Sequence, residues 1–247
     1  MDKTAVITGA RGGVARALAA RMRAAGWRLA LLSRDPDAIV DAGADDVRVR
    51  CDFSGHESVQ KAFDEASSAL GAAPSALAHC IGSSHIAPLA RTSEADWRRV
   101  LAVNLDSAFL ALKCWLELRL PLRQGGSAVL FSSVVARVGV GNHVAIAAAK
   151  AGVEAMVRSL SADHAGAGFR FNAIAPGLLA TPMTERLRGS EAARAQIAQQ
   201  YPLGRYGSAE DAAALAAWLL DDAAQWITGQ VIGLDGGFSA TRPFLRS

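Results

Sequence analysis

The sequence predicts an α/β protein built as a single domain on a doubly wound parallel sheet. Three observations carry this reading. Short apolar runs alternate with longer segments of helical periodicity along the 247 residues. Several runs are apolar on both faces, as strands covered by helices on each side must be. No Pro/Gly/Ser-rich linker and no internal repeat divides the chain, so one domain over 1–247 is expected.

Strands are expected at 4–9 (TAVITG), 28–33 (RLALLS), 46–51 (DVRVRC), 76–82 (ALAHCIG), 127–133 (SAVLFSS), 169–176 (FRFNAIAP) and 230–237 (QVIGLDGG). Helices fall between them: one beginning after Gly13, then about 57–70, 93–119, 143–166, 190–200 and 208–221. Ser93 followed by Glu94 and Asp96 gives an N-cap and an acidic first turn, which suit the positive end of a helix. Pro121 stops the long helix because its nitrogen has no proton to donate. Pro176-Gly177 breaks the chain after the sixth strand, and Gly236-Gly237 closes the last one.

Composition narrows the function. Hydrophobic residues make up 51% and charged residues 20%, a balance that suits a folded globular chain rather than a disordered one. No stretch approaches the roughly 20 apolar residues that span a bilayer, so no membrane partner is expected. The opening MDKTAVITGA reads as a strand and a turn rather than a secretory leader, and a cytoplasmic location is expected. Cys51, Cys80 and Cys114 are odd in number and contain no CxxC pair, so neither a disulfide framework nor a metal site is expected. With 26 Lys and Arg against 23 Asp and Glu, the excess is +3 and shows no basic run. That excludes a nucleic-acid surface and suits a small ligand carrying phosphate.

The stretch TGARGGVA (8–15) joins the first strand to the first helix. Glycines there let the backbone approach a pyrophosphate, and the helix N-terminus offers unpaired N–H groups. This loop resembles the TGxxxGxG fingerprint of the short-chain dehydrogenase/reductase family, with Gly9 and Gly13 at its first two glycines and Ala15 at the third. The resemblance extends over essentially the whole chain. AHCIG (78–82) stands where the family has NNAG, with His79 and Cys80 in place of the asparagines, and VNL places Asn104 on the fourth long helix. Ser133 lies at the end of the fifth strand, and IAAAK keeps Lys150 where the family has YxxxK. NAIAPGLLATPM is similar to the segment that covers the nicotinamide, with Thr181 as carboxamide partner, and 202–237 resembles the C-terminal signature of 3-oxoacyl-carrier-protein reductases.

The resemblance implies a Rossmann-type fold, a nicotinamide dinucleotide, a small-molecule substrate and a homo-oligomer, dimer or tetramer. An acidic residue at position 33 would bind the ribose hydroxyls and repel a 2′-phosphate. Ser33 removes that repulsion, Arg34 can pair with the phosphate and Arg11 adds field from the glycine loop, so NADP(H) is expected. Asp52, after the third strand, matches the family's adenine partner, with helix entry as its plainer role.

One position departs from the pattern. Ile146 lies 13 residues beyond Ser133 and four before Lys150, where both family spacings put the catalytic tyrosine. The only tyrosines, Tyr201 and Tyr206, come after the sixth strand. A positioned acid contributes ~10²–10⁴ in rate, about 3–5 kcal/mol, and isoleucine has no proton to give. Replacement donors are His143, one turn earlier, His85 on the loop after the fourth strand, and Ser133 relaying through water and Lys150. His79 is expected to be a buried packing or hydrogen-bonding group beneath the cofactor and Cys80 an inert strand-end thiol. Two functional classes stay open: an NADPH-dependent carbonyl reductase with an unusual proton source, and a silent cofactor-binding subunit, free or in a hetero-oligomer with an active reductase.

Overall fold

In the computed structural model, which describes residues 3–241, seven strands form one wholly parallel sheet. They are β1 (Thr4–Thr8), β2 (Arg28–Ser33), β3 (Val47–Arg50), β4 (Ala76–His79), β5 (Gly126–Phe131), β6 (Phe169–Pro176) and, last in sequence, β9 (Val231–Leu234). Two short strands, β7 (Leu179–Ala180) and β8 (Gly207–Ser208), pair with each other outside that sheet. The helices are α1 (Gly13–Ala24), α2 (His56–Leu70), α3 (Glu94–Leu101), α4 (Ser107–Arg119), α5 (Val144–His164), α6 (Glu191–Ala198) and α7 (Ala209–Leu220). The order across the sheet is β3-β2-β1-β4-β5-β6-β9. This is a single Rossmann-like domain, as expected, with residues 1–2 and 242–247 of the expected span outside the described residues.

The two faces of the sheet sort by the period-2 geometry of a strand. Val6, Ala30, Leu32, Leu77, Ala128 and Leu130 face α2, α4 and α5, where Phe63 and Trp115 are wholly buried. Ala5, Ile7, Leu29, Leu31, Ala78 and Val129 face α1 and α7, against Leu18, Met22, Ala216 and Leu219. Trp115 keeps its one polar atom satisfied: Nε1 donates to the Pro74 carbonyl at 2.8 Å. Its ring stands edge-on to Phe169 and Phe171 at 5.6 and 6.0 Å, so truncation to alanine costs about 3–5 kcal/mol.

Several boundaries differ from the sequence expectation, and β9 stops at Leu234 rather than at 237. The expected helix over 93–119 is interrupted: Ser93 caps α3 by accepting the Asp96 N–H, but Ala102–Asp106 is π-helical before α4 resumes. β4 and β5 stop at His79 and Phe131 rather than at 82 and 133, because their last residues leave the ladder for the crevice at the carboxyl ends. β7 and β8 were not anticipated, since two residues each carry no readable alternation. Among the described residues, no helix is long and apolar enough to cross a membrane.

The order of strands reverses at β1, which pairs with β2 on one side and β4 on the other. In sheets of this kind the crevice beyond the carboxyl ends at that point is where ligands bind. The loops after β1, β4 and β5 meet there.

Candidate active site

At one end of the crevice the loop after β1 is shaped by bare backbone. Gly9 has φ +65°, and a Cβ on it would lie 3.1 Å from the backbone of Cys80 after β4. Both facts demand glycine. Gly12 caps α1 without a side-chain hydrogen bond, and no acidic residue occupies the first turn, so the positive helix end is left for an anion. Across it lies Thr181: a Cβ on Gly13 would sit 3.3 Å from Thr181 Cγ2 and Pro182 Cδ. A capping box with Thr184 holds Thr181 at the start of the 3-10 segment Pro182–Arg188. The structure therefore sets Thr181 against Gly13, with Gly9 in the same loop against Cys80.

The end of β2 holds the second group. Ser33 is buried, and its hydroxyl donates to the Asp35 carbonyl at 3.1 Å while accepting the Asp35 N–H at 3.2 Å. Its hydroxyl shapes a turn and is spent there; what matters at position 33 is that no carboxylate is present. Arg34 is exposed, and Arg11 lies 3.6 Å from Asp35. Arg50, paired in register with Ser33, donates Nη1 to the Arg34 carbonyl at 2.7 Å. Sequence reasoning missed Arg50 because it reads there as the polar half of the VRVR alternation. Asp52 accepts the Ser54 N–H at 2.9 Å and the Ser58 hydroxyl at 3.1 Å, both on Oδ1. Ser54 and then Ser58 hold its carboxyl below the ordinary range, so it is ionised and does take the helix-entry role.

The third group surrounds Lys150. This side chain is buried, and Nζ donates to the Phe131 carbonyl at 2.8 Å. Burial lowers its pKa from the ordinary lysine range to about 8. Gly82 lies directly against it: a Cβ there would be 3.3 Å from Asn104 Oδ1 and 3.6 Å from Lys150 Nζ. Asn104 lies in the π-helical segment rather than in a regular helix, and such segments recur at functional sites. Its Nδ2 donates to the Val100 carbonyl and to Ser83 Oγ, each at 3.0 Å, while Oδ1 accepts the Ser83 N–H at 3.1 Å. Ser83 was not singled out in the sequence, because nothing local marks a serine that an asparagine 21 residues away holds by two bonds.

Ser133 lies two residues past β5, and its Oγ accepts the Val135 N–H at 3.4 Å, leaving the hydroxyl proton unassigned. The neighbouring Ser132 ties this strand end to α5: its hydroxyl donates to Glu154 Oε1 at 2.9 Å, and Arg137 Nε meets Glu154 Oε2 at 3.0 Å. Glu154 is buried one turn beyond Lys150, so one carboxylate locks the two segments that carry Ser133 and Lys150. Ile146 is 6% exposed and belongs to an apolar cluster with Val100, Ala145 and Ala149, flanked by Trp97, Leu105 and Val135. The side chains of that cluster have no ionisable proton.

The two candidate histidines make their hydrogen bonds to residues other than Lys150, Asn104 and Ser133. His85 turns toward the start of α3, with Nε2 3.5 Å from Thr92 Oγ1. His143 stands at the N-cap of α5, where Nδ1 lies 2.6 Å from the Gly141 carbonyl. A carbonyl has no proton, so Nδ1 donates, and the neutral ring then carries none on Nε2. His79 is buried between Thr8 Oγ1 at 2.9 Å and Ser107 Oγ at 3.1 Å. Ser107 gives its proton to the Val103 carbonyl at 2.7 Å, so His79 Nε2 donates to Ser107 and Nδ1 accepts from Thr8. Burial, with the Lys150 charge added, lowers His79 to about 3 and keeps it neutral. Burial pushes the Cys80 thiol up to about 12, which makes it a poor nucleophile.

Sequence and structure comparisons fit this arrangement. The family described as Enoyl-(Acyl carrier protein) reductase matches residues 9–239. A 3beta-hydroxysteroid dehydrogenase 1 from Eggerthella lenta is 33% identical over 245 residues, covering 96% of this chain and 94% of its own. The chain belongs to the short-chain dehydrogenase/reductase family. An oxidoreductase of the same family from Burkholderia thailandensis superposes with a TM-score of 0.88 at 32% identity, covering 98% of this chain and 94% of the other. A protein from Agrobacterium tumefaciens with bound NADP superposes with a TM-score of 0.87 at 30% identity, covering 97% of each chain. Short-chain dehydrogenases/reductases are oxidoreductases that use NAD(P)(H).

Proposed function

We propose that this short-chain dehydrogenase/reductase uses NADP(H) to reduce a carbonyl-type group, with Ser133 and Lys150 supplying the proton in place of a tyrosine. The observation that carries this reading is Lys150, a buried ammonium set beside Gly82 and Asn104 with Ile146 on the preceding turn. The residues fit a dinucleotide: Gly9 and Gly13 leave a cradle that a Cβ would fill, and α1 ends in uncapped N–H groups. When bound, the dinucleotide supplies the hydride. Ser133 gives its hydroxyl proton to the oxygen of the reduced group, and Lys150 restores that proton through water. Lys150 also holds the ribose, and Asn104 keeps Ser83 and Gly82 in place beside it.

The end of β2 supports NADP(H) over NAD(H). Arg11, Arg34 and Arg50 gather there, and position 33 carries no carboxylate. The exposed Arg11–Asp35 pair at 3.6 Å stabilises little, so a 2′-phosphate can take Arg11 over. The rim of the crevice supports an apolar substrate, with a 3-oxoacyl thioester as the favoured class. Ile86, Leu89, Val144, Met183 and Leu187 are large, exposed and on the loop after β4, the start of α5 and the segment after Thr181. Three free thiols, Cys51, Cys80 and Cys114, support a reducing compartment such as the cytoplasm. An apolar groove of about 370 Å³ between α4 and α5, with Phe109 exposed on its edge, supports a homo-oligomer.

A second reading, a silent cofactor-binding subunit, is favoured by the apolar packing around Ile146. One experiment separates the two. NADPH oxidation is followed with ketones and 3-oxoacyl thioesters, alongside fluorescence titration of NADPH and NADH. The expected result is slow turnover with NADPH, lost in Ser133→Ala while NADPH still binds. If NADPH binds, no substrate turns over, and Ile146→Tyr alone gains ~10²–10⁴ in rate, the silent reading replaces the proposed one.

A further inference from the structure

On the sheet face opposite α1 and α7, the helices α2 and α4 pack together, and three metal-ligating side chains meet at one end of their contact. His56 is the first residue of α2, and Cys114 and Glu117 stand one turn apart on α4. His56 Nε2, Cys114 Sγ and a Glu117 carboxylate oxygen all lie within 4.8 Å of one another. His56 Nε2 is 3.0 Å from Glu117 Oε2, and Lys113 holds the other carboxylate oxygen. Around a tetrahedral ion with bonds of about 2.0–2.3 Å, donor atoms lie about 3.2–3.8 Å apart. The group is thus close to its bound spacing and closes onto an ion with a shift of about 1 Å.

A separate observation points to the same place. Gln60 Oε1 is buried and has no hydrogen-bond partner. Its amide orientation is fixed, since Nε2 donates to Asp64 Oδ1 at 2.9 Å. Gln60 lies one turn after His56 and one turn before Asp64, on one stripe of α2. His56 Nε2 lies within 4.8 Å of the Cys114 thiol, and Asp64 lies close enough for its charge to act on it. The orphan oxygen therefore sits on the stripe that faces Cys114. Buried carbonyl oxygens are nearly always paired, and one without a partner marks the place of a water or an ion.

We propose that His56, Cys114 and Glu117, with Gln60 Oε1 as a fourth donor, form a binding site for a divalent transition metal of the zinc class. One thiolate and one imidazole select against magnesium and calcium, which take oxygen donors throughout. Binding breaks the Cys114 S–H bond, releases that proton to solvent and forms the metal–sulfur bond. The His56–Glu117 hydrogen bond gives way to two bonds to the ion. The thiolate and the carboxylate balance the double positive charge, and Lys113 keeps its carboxylate oxygen. The bound ion fastens the start of α2 to α4 beside the groove that Lys113 and Glu117 help to line.

The test uses the whole protein, freed of metal and titrated with Co²⁺ and then Zn²⁺. The expected result is one Co²⁺ per chain, thiolate-to-cobalt absorption in the near ultraviolet, and displacement by Zn²⁺ but not by excess Mg²⁺. His56 and Glu117 are both partly exposed, so His56→Ala and Glu117→Gln keep the fold and weaken Zn²⁺ binding by at least ~tenfold each. Cys114→Ser removes the near-ultraviolet band. Failure to bind Co²⁺, displacement by Mg²⁺, undiminished Zn²⁺ affinity in both surface variants, or a band that persists in Cys114→Ser each overturns the site. Because the readout is metal binding, none of these outcomes bears on the oxidoreductase reading.

Discussion

Lys150 carries its charge where water scarcely reaches, and in the proposed relay that decides when its proton is available. Burial disfavours the ammonium form and lowers the group to about 8, with the Phe131 carbonyl as its hydrogen-bond partner at 2.8 Å. Below about 8 the side chain holds the proton that the reduced oxygen needs; above it the proton is gone. The turnover number for reduction is therefore expected to be level in mildly acidic buffer and to fall as pH rises through about 8, approaching tenfold per pH unit. Oxidation of the alcohol, which needs the group deprotonated, should rise over the same window. The check is a pH–rate profile at saturating substrate, and a profile still level at about pH 10 removes Lys150 from the relay. His79 contributes nothing to that profile, being neutral down to about 3.

At the scale of elements, the site depends on how the end of β5 is fastened to α5. Ser132 and Arg137, from the segment around Ser133, both bind Glu154, which shares a helix with Lys150. Removing this carboxylate leaves the buried Ser132 hydroxyl with only the longer bond to the Lys150 carbonyl at 3.4 Å, while the half-exposed Arg137 can regain water. Glu154→Ala is expected to lower stability by about 1.5–3 kcal/mol in denaturant melts. It should also weaken NADPH binding, because the helix bearing Lys150 then drifts from the Phe131 carbonyl. A variant that melts like the wild type would show that apolar packing alone positions the two segments. The π-helical stretch Ala102–Asp106 acts on the opposite wall, turning Asn104 toward Ser83 and Gly82.

At the scale of the whole molecule, between α4 and α5 lies a groove lined by Phe109, Leu112, Leu116, Leu120, Met156 and Leu160. An apolar surface of that kind is best covered by a second copy. Phe109 is 53% exposed on its edge, so Phe109→Glu should leave the fold intact and convert the oligomer to smaller species. Light scattering after gel filtration checks this, and a wild-type protein that runs as a monomer refutes the expected association.

The sequence by itself determined the order and type of the main elements and the glycine loop that joins β1 to α1. Those depend on neighbours in the chain: period-2 and period-3.6 patterning, the Gly9–Gly13 loop, the Ser93 cap and the spacing of Ser133, Ile146 and Lys150. What it left undecided needs the chain to return on itself. Ser83 meets Asn104, Arg50 comes beside Ser33, and Glu154 binds Ser132 only once β3, β5 and α5 are packed in the sheet. The same holds for His85, whose contact with Thr92 no spacing encodes. His56, Cys114 and Glu117 are the plainest case: spread over two helices, they form no ligand motif in the sequence, and only the packing of α2 on α4 makes them neighbours.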